Sequence, residues 1–274
     1  MPELPEVETV KRTLNELITE KTIKSVSVYW SKIIKKPEEI EQFQDALIGE
    51  KIEKVRRRGK FLIIDTTHYS LVSHLRMEGK YGLYNEKDEL APHTHVIFHF
   101  VDESALRYRD VRKFGTMHLF PKGKEEESPP LSRLGPEPFS EKFSPTFLKE
   151  KLNKTERAVK AALLDQSLLV GLGNIYVDEV LFKAGVHPDR KGKSLKEDEI
   201  NLLHSAIHKT LNEAVEKGGS TIRSYINSQG KIGTFQDSLY VYGRKDKPCK
   251  QCGNPISKKV TAGRGTHYCA HCQS

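Results

Sequence analysis

The chain has 274 residues, with 45 Lys+Arg against 37 Asp+Glu, a net charge of +8 and a pI near 9.1. This length predicts about two domains, and the basic balance favours polyanionic partners such as nucleic acid. No run approaches the ~18 apolar residues of a membrane span, and the opening MPELPEVETV has three glutamates and no apolar stretch, so the sequence predicts neither a membrane protein nor a secretory leader but a soluble, intracellular one.

In chain order, residues 5–18 read as an amphipathic helix, because Val7, Val10, Leu14, Leu17 and Ile18 recur at helical spacing. Pro5 suits the first turn, and Glu6 and Glu8 suit the positive end of the helix dipole. From about 21 to 120 the pattern becomes strand-like, as in TIKSVSVYW, KFLIID, HVIFHF and ALRYRDV. Residues 121–138 hold five of the thirteen prolines and the run KGKEEES, which predicts a linker. Residues 144–217 read as helical, 218–238 as irregular, and LYVYG (239–243) together with the cysteine module as short strands. The expected division is therefore 1–120, a linker over 121–138, 139–238, and 239–274.

All four cysteines, Cys249, Cys252, Cys269 and Cys272, lie in the last 26 residues as two C-x2-C pairs sixteen residues apart. This spacing is that of a zinc ribbon. Four thiolates close the coordination sphere, so one zinc ion is expected in a structural role. Basic residues cluster at KVRRRGK (54–60), at RYRDVRK (107–113) and in 244–274, where seven Lys/Arg face one Asp. Three such clusters beside a zinc ribbon point to a surface that tracks a phosphate backbone.

Pro2 follows the initiator Met, and a small second residue allows Met removal. An α-amino group has a reference pKa near 8 against about 10.4 for Lys, so a far larger fraction is neutral and nucleophilic at pH 7. A secondary amine adds to an aldehyde-level sugar carbon as an iminium that has no N–H to lose, and so serves as an electron sink for elimination. Glu3 places a carboxyl group next to it for proton transfer.

MPELPEVETV and the four-cysteine module, with RRRGKF, SHLRMEGKY, PHTH, YRDVRKFGTM, LGPEP, LLDQ, GLGNIYVDE, GGSTIRSY, GTFQ, YVYGR and VTAGRGTHYC, resemble the bacterial formamidopyrimidine-DNA glycosylases over nearly the whole chain. The resemblance implies an α+β multidomain fold: an N-terminal β-sandwich-like catalytic domain with its amphipathic helix, a helix–two-turn–helix domain, and a C-terminal zinc-ribbon hairpin. It implies a bifunctional DNA glycosylase and abasic-site lyase of base-excision repair. The expected substrates are 8-oxoguanine opposite cytosine and formamidopyrimidines in double-stranded DNA, met by a cytoplasmic monomer working at the nucleoid.

By the same resemblance, Pro2 forms the Schiff base, Glu3 transfers protons, and Lys60 and Arg264 serve the β- and δ-eliminations. A guanidinium does not release a proton near neutral pH, so Arg264 is better read as a phosphate clamp. Met77, Arg112 and Phe114 match the residues that fill the hole left by an extruded nucleotide. His74, His93, Asn174 and Lys258 match DNA contacts. Glu6, Glu78, Thr221, Ile222, Arg223, Ser224 and Tyr225 match positions around the lesion. Two alternatives stay open: an endonuclease VIII-like enzyme for oxidised pyrimidines, and a zinc-ribbon DNA-binding protein without activity.

Overall fold

A computed structural model describes residues 1–220 and 233–274. The chain forms two compact units, one over Met1–Arg133 and one over Leu134–Ser220 with Thr234–Ser274. Among the described residues no helix is long and apolar enough to cross a membrane.

The first unit opens with helix α1 (Leu4–Ile18), whose Leu4, Val7, Val10, Leu14 and Ile18 are all buried. Glu3 is its N-cap and forms a reciprocal capping box with Glu6, in which the Glu3 N–H donates to Glu6 Oε2 at 2.8 Å. Two sheets follow. β1 (Ile23–Val28), β7 (Thr94–Phe100), β8 (Ser104–Arg109) and β6 (Lys80–Asn85) pair antiparallel in that order. The second sheet runs β2 (Ile34–Lys36), β9 (Thr116–Pro121), β5 (Tyr69–His74), β4 (Phe61–Thr66) and β3 (Ile52–Arg58), antiparallel except for the β2–β9 pair. Val26, Phe98 and Leu106 of one sheet and Val55, Leu62 and Leu71 of the other share one core with α1, giving the expected sandwich-like arrangement.

A short helix α2 (Ile40–Leu47) interrupts the stretch predicted as strands. Its Phe43 and Leu47, four residues apart, are its only fully buried side chains, a signal too short to stand out beside the surrounding strands.

The second unit is helical: α3 (Pro145–Asn153), α4 (Val159–Leu163), α5 (Asn174–Lys183) and α6 (Glu197–Glu216). Ser144 caps α3, its Oγ accepting the Phe147 N–H at 3.1 Å, with Pro145 in the first turn. α6 buries Ile200, Leu203, Ile207, Leu211 and Ala214 along one stripe. The unit ends in a hairpin of β10 (Ser257–Thr261) and β11 (Arg264–Tyr268). LYVYG is not a strand. The N–H groups of Tyr240, Val241 and Tyr242 donate instead to the Glu179 carboxylate, each at 2.9 Å, so the ladder expected there has no donors left.

Candidate functional site

In the first unit Pro2 and Glu3 are buried ahead of α1, with Glu3 only 2% exposed. Lys60 lies in the tight turn between β3 and β4 and is 5% exposed, unusual for a lysine. Glu8 links that turn to the helix. Its Oε2 accepts from Arg57 Nε at 3.0 Å, while Arg57 Nη1 donates to the Gly59 carbonyl at 3.0 Å. Burial pushes the Glu8 carboxyl up, but the Arg57 hydrogen bond and charge outweigh it and hold the group below its usual range.

His74 closes β5 and is 90% or more buried, its ring edge-on to Phe61 at 4.5 Å. Its Nδ1 accepts the Arg76 N–H at 2.9 Å, which puts the ring proton on Nε2. Burial, with the charges of Arg76 and Lys60, pushes the imidazole down to about 3. The folded His74 is thus neutral, while an unfolded one titrates near 6.5. Its contribution to stability is complete above pH 6.5 and is lost as pH falls from 6.5 towards 3, at about 1.4 kcal/mol per pH unit, because only the unfolded chain takes up the proton there. In an NMR titration the His74 ring is expected to show no midpoint between pH 8 and 5; a midpoint near 6.5 would contradict the assignment.

Two exposed turns carry the residues matched to void filling. Arg76, Met77 and Glu78 form one; Arg112, Lys113 and Phe114 form the other. Met77 is 37% and Phe114 50% exposed, too open for core side chains. The second turn is built on Asp110, itself 1% exposed. Its carboxylate accepts from the N–H of Arg112 at 3.0 Å, Phe114 at 2.9 Å and Gly115 at 2.8 Å. Its own N–H donates to the carbonyl of the exposed His93 at 3.1 Å. The Tyr108 hydroxyl lies against both turns, since a Cβ at Gly79 would sit 2.2 Å from it and one at Gly115 1.8 Å. Only glycine leaves room for this approach.

The basic runs divide differently from their expected role. In KVRRRGK, Arg56 pairs with Asp65 and Glu125, and Arg57 with Glu8. In RYRDVRK, the buried Arg107 donates to the carbonyls of Asn85, Asp88 and Glu89. Much of this charge is therefore consumed inside the unit, and Arg112 and Lys113 are left at its surface.

In the second unit Gln166 staples the turn before α5, accepting from Gly171 N–H at 3.0 Å and donating to the Leu172 carbonyl at 2.9 Å. Gly173 is the N-cap of α5 and Asn174 its first residue. Asn174 Nδ2 donates to the Gly265 carbonyl at 2.9 Å. Arg264 begins β11 at the hairpin tip, after a two-residue turn in which Ala262 (φ 50°) and Gly263 (φ 72°) are both left-handed. Arg264 and Lys258 are exposed.

The hairpin is fixed to α5 by charges buried in an apolar run. Asp178 accepts from Lys160 Nζ at 2.6 Å and from the His267 N–H at 2.8 Å. Asp178, Glu179 and Lys160, like Asp110, belong to no spacing pattern in the sequence. The signal was present, because a charge inside a run such as YVDEVLF must find a partner.

The four cysteines are unpaired, and their sulfurs all lie within 4.8 Å of one another. Cys249 Sγ and Cys272 Sγ are 4.0 Å apart, and Cys252 Sγ and Cys269 Sγ 3.5 Å. Zinc at about 2.3 Å from each of four tetrahedral sulfurs requires about 3.8 Å between them, so the set fits one zinc ion. The Gln251 N–H (3.4 Å) and Asn254 Nδ2 (3.5 Å) point at two of the sulfurs and suit thiolates. Thr221, Ile222, Arg223, Ser224 and Tyr225 lie outside the described residues.

A sandwich-like unit with a capped N-terminal helix, and a helical unit ending in a four-cysteine hairpin, define a helix–two-turn–helix protein with a zinc finger. Three family descriptions match: the formamidopyrimidine-DNA glycosylase N-terminal domain over residues 1–117, its H2TH domain over 134–226, and the zinc finger found in FPG and IleRS over 246–274. The formamidopyrimidine-DNA glycosylase of Bacillus licheniformis is 61% identical over 273 residues, covering 100% of this chain and 99% of that one. That of Bacillus subtilis is 60% identical over 274 residues, again covering 100% and 99%. The solved Lactococcus lactis Fpg in complex with N7-benzyl-Fapy-dG DNA is 42% identical with a TM-score of 0.93, covering 99% of both chains. The chain belongs to the formamidopyrimidine-DNA glycosylase family.

Proposed function

We infer that this chain is a DNA glycosylase for oxidised purines that also cleaves the strand at the resulting abasic site. The observation that carries the reading is the start of the chain: a buried Pro2–Glu3 pair held at the mouth of α1 by the Glu3–Glu6 capping box. Similarity over the full length to named glycosylases, one of them solved with a Fapy-dG lesion, supports it.

With Met1 removed, the Pro2 nitrogen attacks C1′ of the damaged nucleotide. The glycosidic bond breaks, the base departs, and an iminium forms as the sugar ring opens, with Glu3 protonating the ring oxygen. Loss of a C2′ proton expels the 3′ phosphate; a second elimination expels the 5′ phosphate. Lys60 donates a proton in the first elimination, and Arg264 stabilises the departing phosphate in the second. Met77, Arg112 and Phe114 occupy the gap in the stack, with Arg112 facing the orphaned cytosine. His74 offers its Nε2–H and His93 its ring to the backbone, Asn174 and Lys258 bind phosphate, and Glu6, Glu78 and residues 221–225 surround the extruded base.

In this reading residues 1–120 carry the catalysis, 121–138 join, 139–238 grip DNA and 239–274 form the zinc finger of a cytoplasmic monomer acting at the nucleoid. Excision of 8-oxoguanine opposite cytosine is expected to exceed that of thymine glycol by at least about tenfold, leaving phosphate at both ends of a one-nucleotide gap. The reverse preference would assign the chain to oxidised pyrimidines; tight binding without cleavage would make it a binding protein.

A further inference from the structure

Six cations of the first unit that are in no ion pair lie beside the two void-filling turns; among the described residues Lys24, Lys87, Arg107, Arg109 and Arg133 are also in no ion pair. Most of its other basic side chains lie in ion pairs, among them Lys11, Arg12, Lys21, Lys51, Arg56 and Arg57. Among the described residues Lys32, Lys35, Lys36, Arg76, Arg112 and Lys113 are in none. Aromatic faces hold four of them instead. Trp30 takes Lys113 at 4.2 Å and Lys32 at 5.6 Å from its ring centre, Phe120 takes Lys36 at 4.5 Å, and Phe114 takes Arg112 at 4.8 Å. An aromatic face orients a cation without neutralising it, so the full charge stays available to an anion.

These cations are contiguous. Trp30 joins Lys32 to the turn that carries Arg112 and Phe114. On β9, next to Lys36 of β2, His118 is held down to about 4, first by its burial and then by the charges of Lys35, Lys36 and Arg76. Arg76 adjoins Met77 of the other turn. Tyr29 is 59% exposed at the head of the segment, and Lys32, Lys35 and Lys36 are all exposed. Glu38 and Glu39 follow before α2 and mark where the positive strip ends.

We propose that Tyr29–Lys36 is a phosphate-binding strip that extends the surface of the two void-filling turns along the sugar–phosphate backbone of duplex DNA beside the extruded nucleotide. The strip rests on the DNA-repair reading above. Its continuity with those turns selects duplex DNA over other polyanions, and its unneutralised lysines supply the affinity that counterion release would make salt-dependent.

Trp30 is the only tryptophan, so its emission reports on the strip directly. In the zinc-loaded full chain, saturating undamaged duplex is expected to reduce iodide quenching of Trp30. K32A/K35A is expected to lower the slope of log affinity against log salt by about 2, near 0.9 per lost phosphate contact, on lesion and undamaged duplexes alike. K32R/K35R is expected to keep the parental slope. Lys36 is left in place because it covers Phe120. An unchanged slope in K32A/K35A, an equal loss in K32R/K35R, or iodide quenching unaffected by bound DNA would overturn the strip. The repair reading fails separately, if the parent protein does not cut lesion DNA at all.

Discussion

Stripping zinc from the protein is expected to abolish DNA binding, lowering affinity at least about a hundredfold, while the β content of the first unit survives. The hairpin has two five-residue strands and a small core of Phe182, Val241, Cys249, Ile256 and Cys269. Two of those five residues are zinc ligands. Structural zinc supplies roughly 10–16 kcal/mol in such modules, far more than a core this small provides. Without the ion, nothing holds the four crowded cysteines together, and the hairpin that presents Arg264 at its tip and Lys258 on β10 loses its frame. The Asp178 and Glu179 contacts tie the hairpin and residues 240–242 to α5, but they fix its position and do not replace its core. Far-UV circular dichroism and DNA affinity, measured with a strong chelator and again after zinc is restored, check this. Affinity that survives complete metal loss would show that the hairpin is not part of the interface.

Glu3→Gln is expected to slow base excision by roughly 10²–10⁴-fold, the usual range for loss of a positioned proton donor, while leaving lesion affinity within about twofold. The substitution keeps the shape of the side chain. It also leaves intact the bond from the residue-3 N–H to Glu6, so α1 still opens in the same place. What disappears is the acidic carboxyl proton next to Pro2. Single-turnover excision and equilibrium binding on the same lesion duplex separate the two effects. Lost binding with an unfolding midpoint lowered by the order of a cap, about 1 kcal/mol, would make Glu3 chiefly a structural residue.

Features set by local spacing were legible in the sequence. The stripe of α1 and the two C-x2-C pairs encode their structure within a few residues. Features set by partners distant in the chain were not. KVRRRGK is as basic as any DNA-binding run, yet Asp65, Glu125 and Glu8 claim Arg56 and Arg57. LYVYG has strand-forming residues, yet Glu179, some sixty positions earlier, takes its N–H groups. Asp110 sat inside a recognised motif, but that three N–H groups of the following turn converge on it depends on backbone geometry that no spacing rule supplies.

The account turns on one nitrogen. Borohydride reduction during reaction with 8-oxoguanine duplex, followed by mass spectrometry of the trapped complex, locates the bond. The adduct is expected at one per chain, on the peptide that begins at Pro2, and to be absent when Met1 or a longer leader is retained. An adduct on Lys60, or equal trapping by a chain whose Pro2 is blocked, would contradict it.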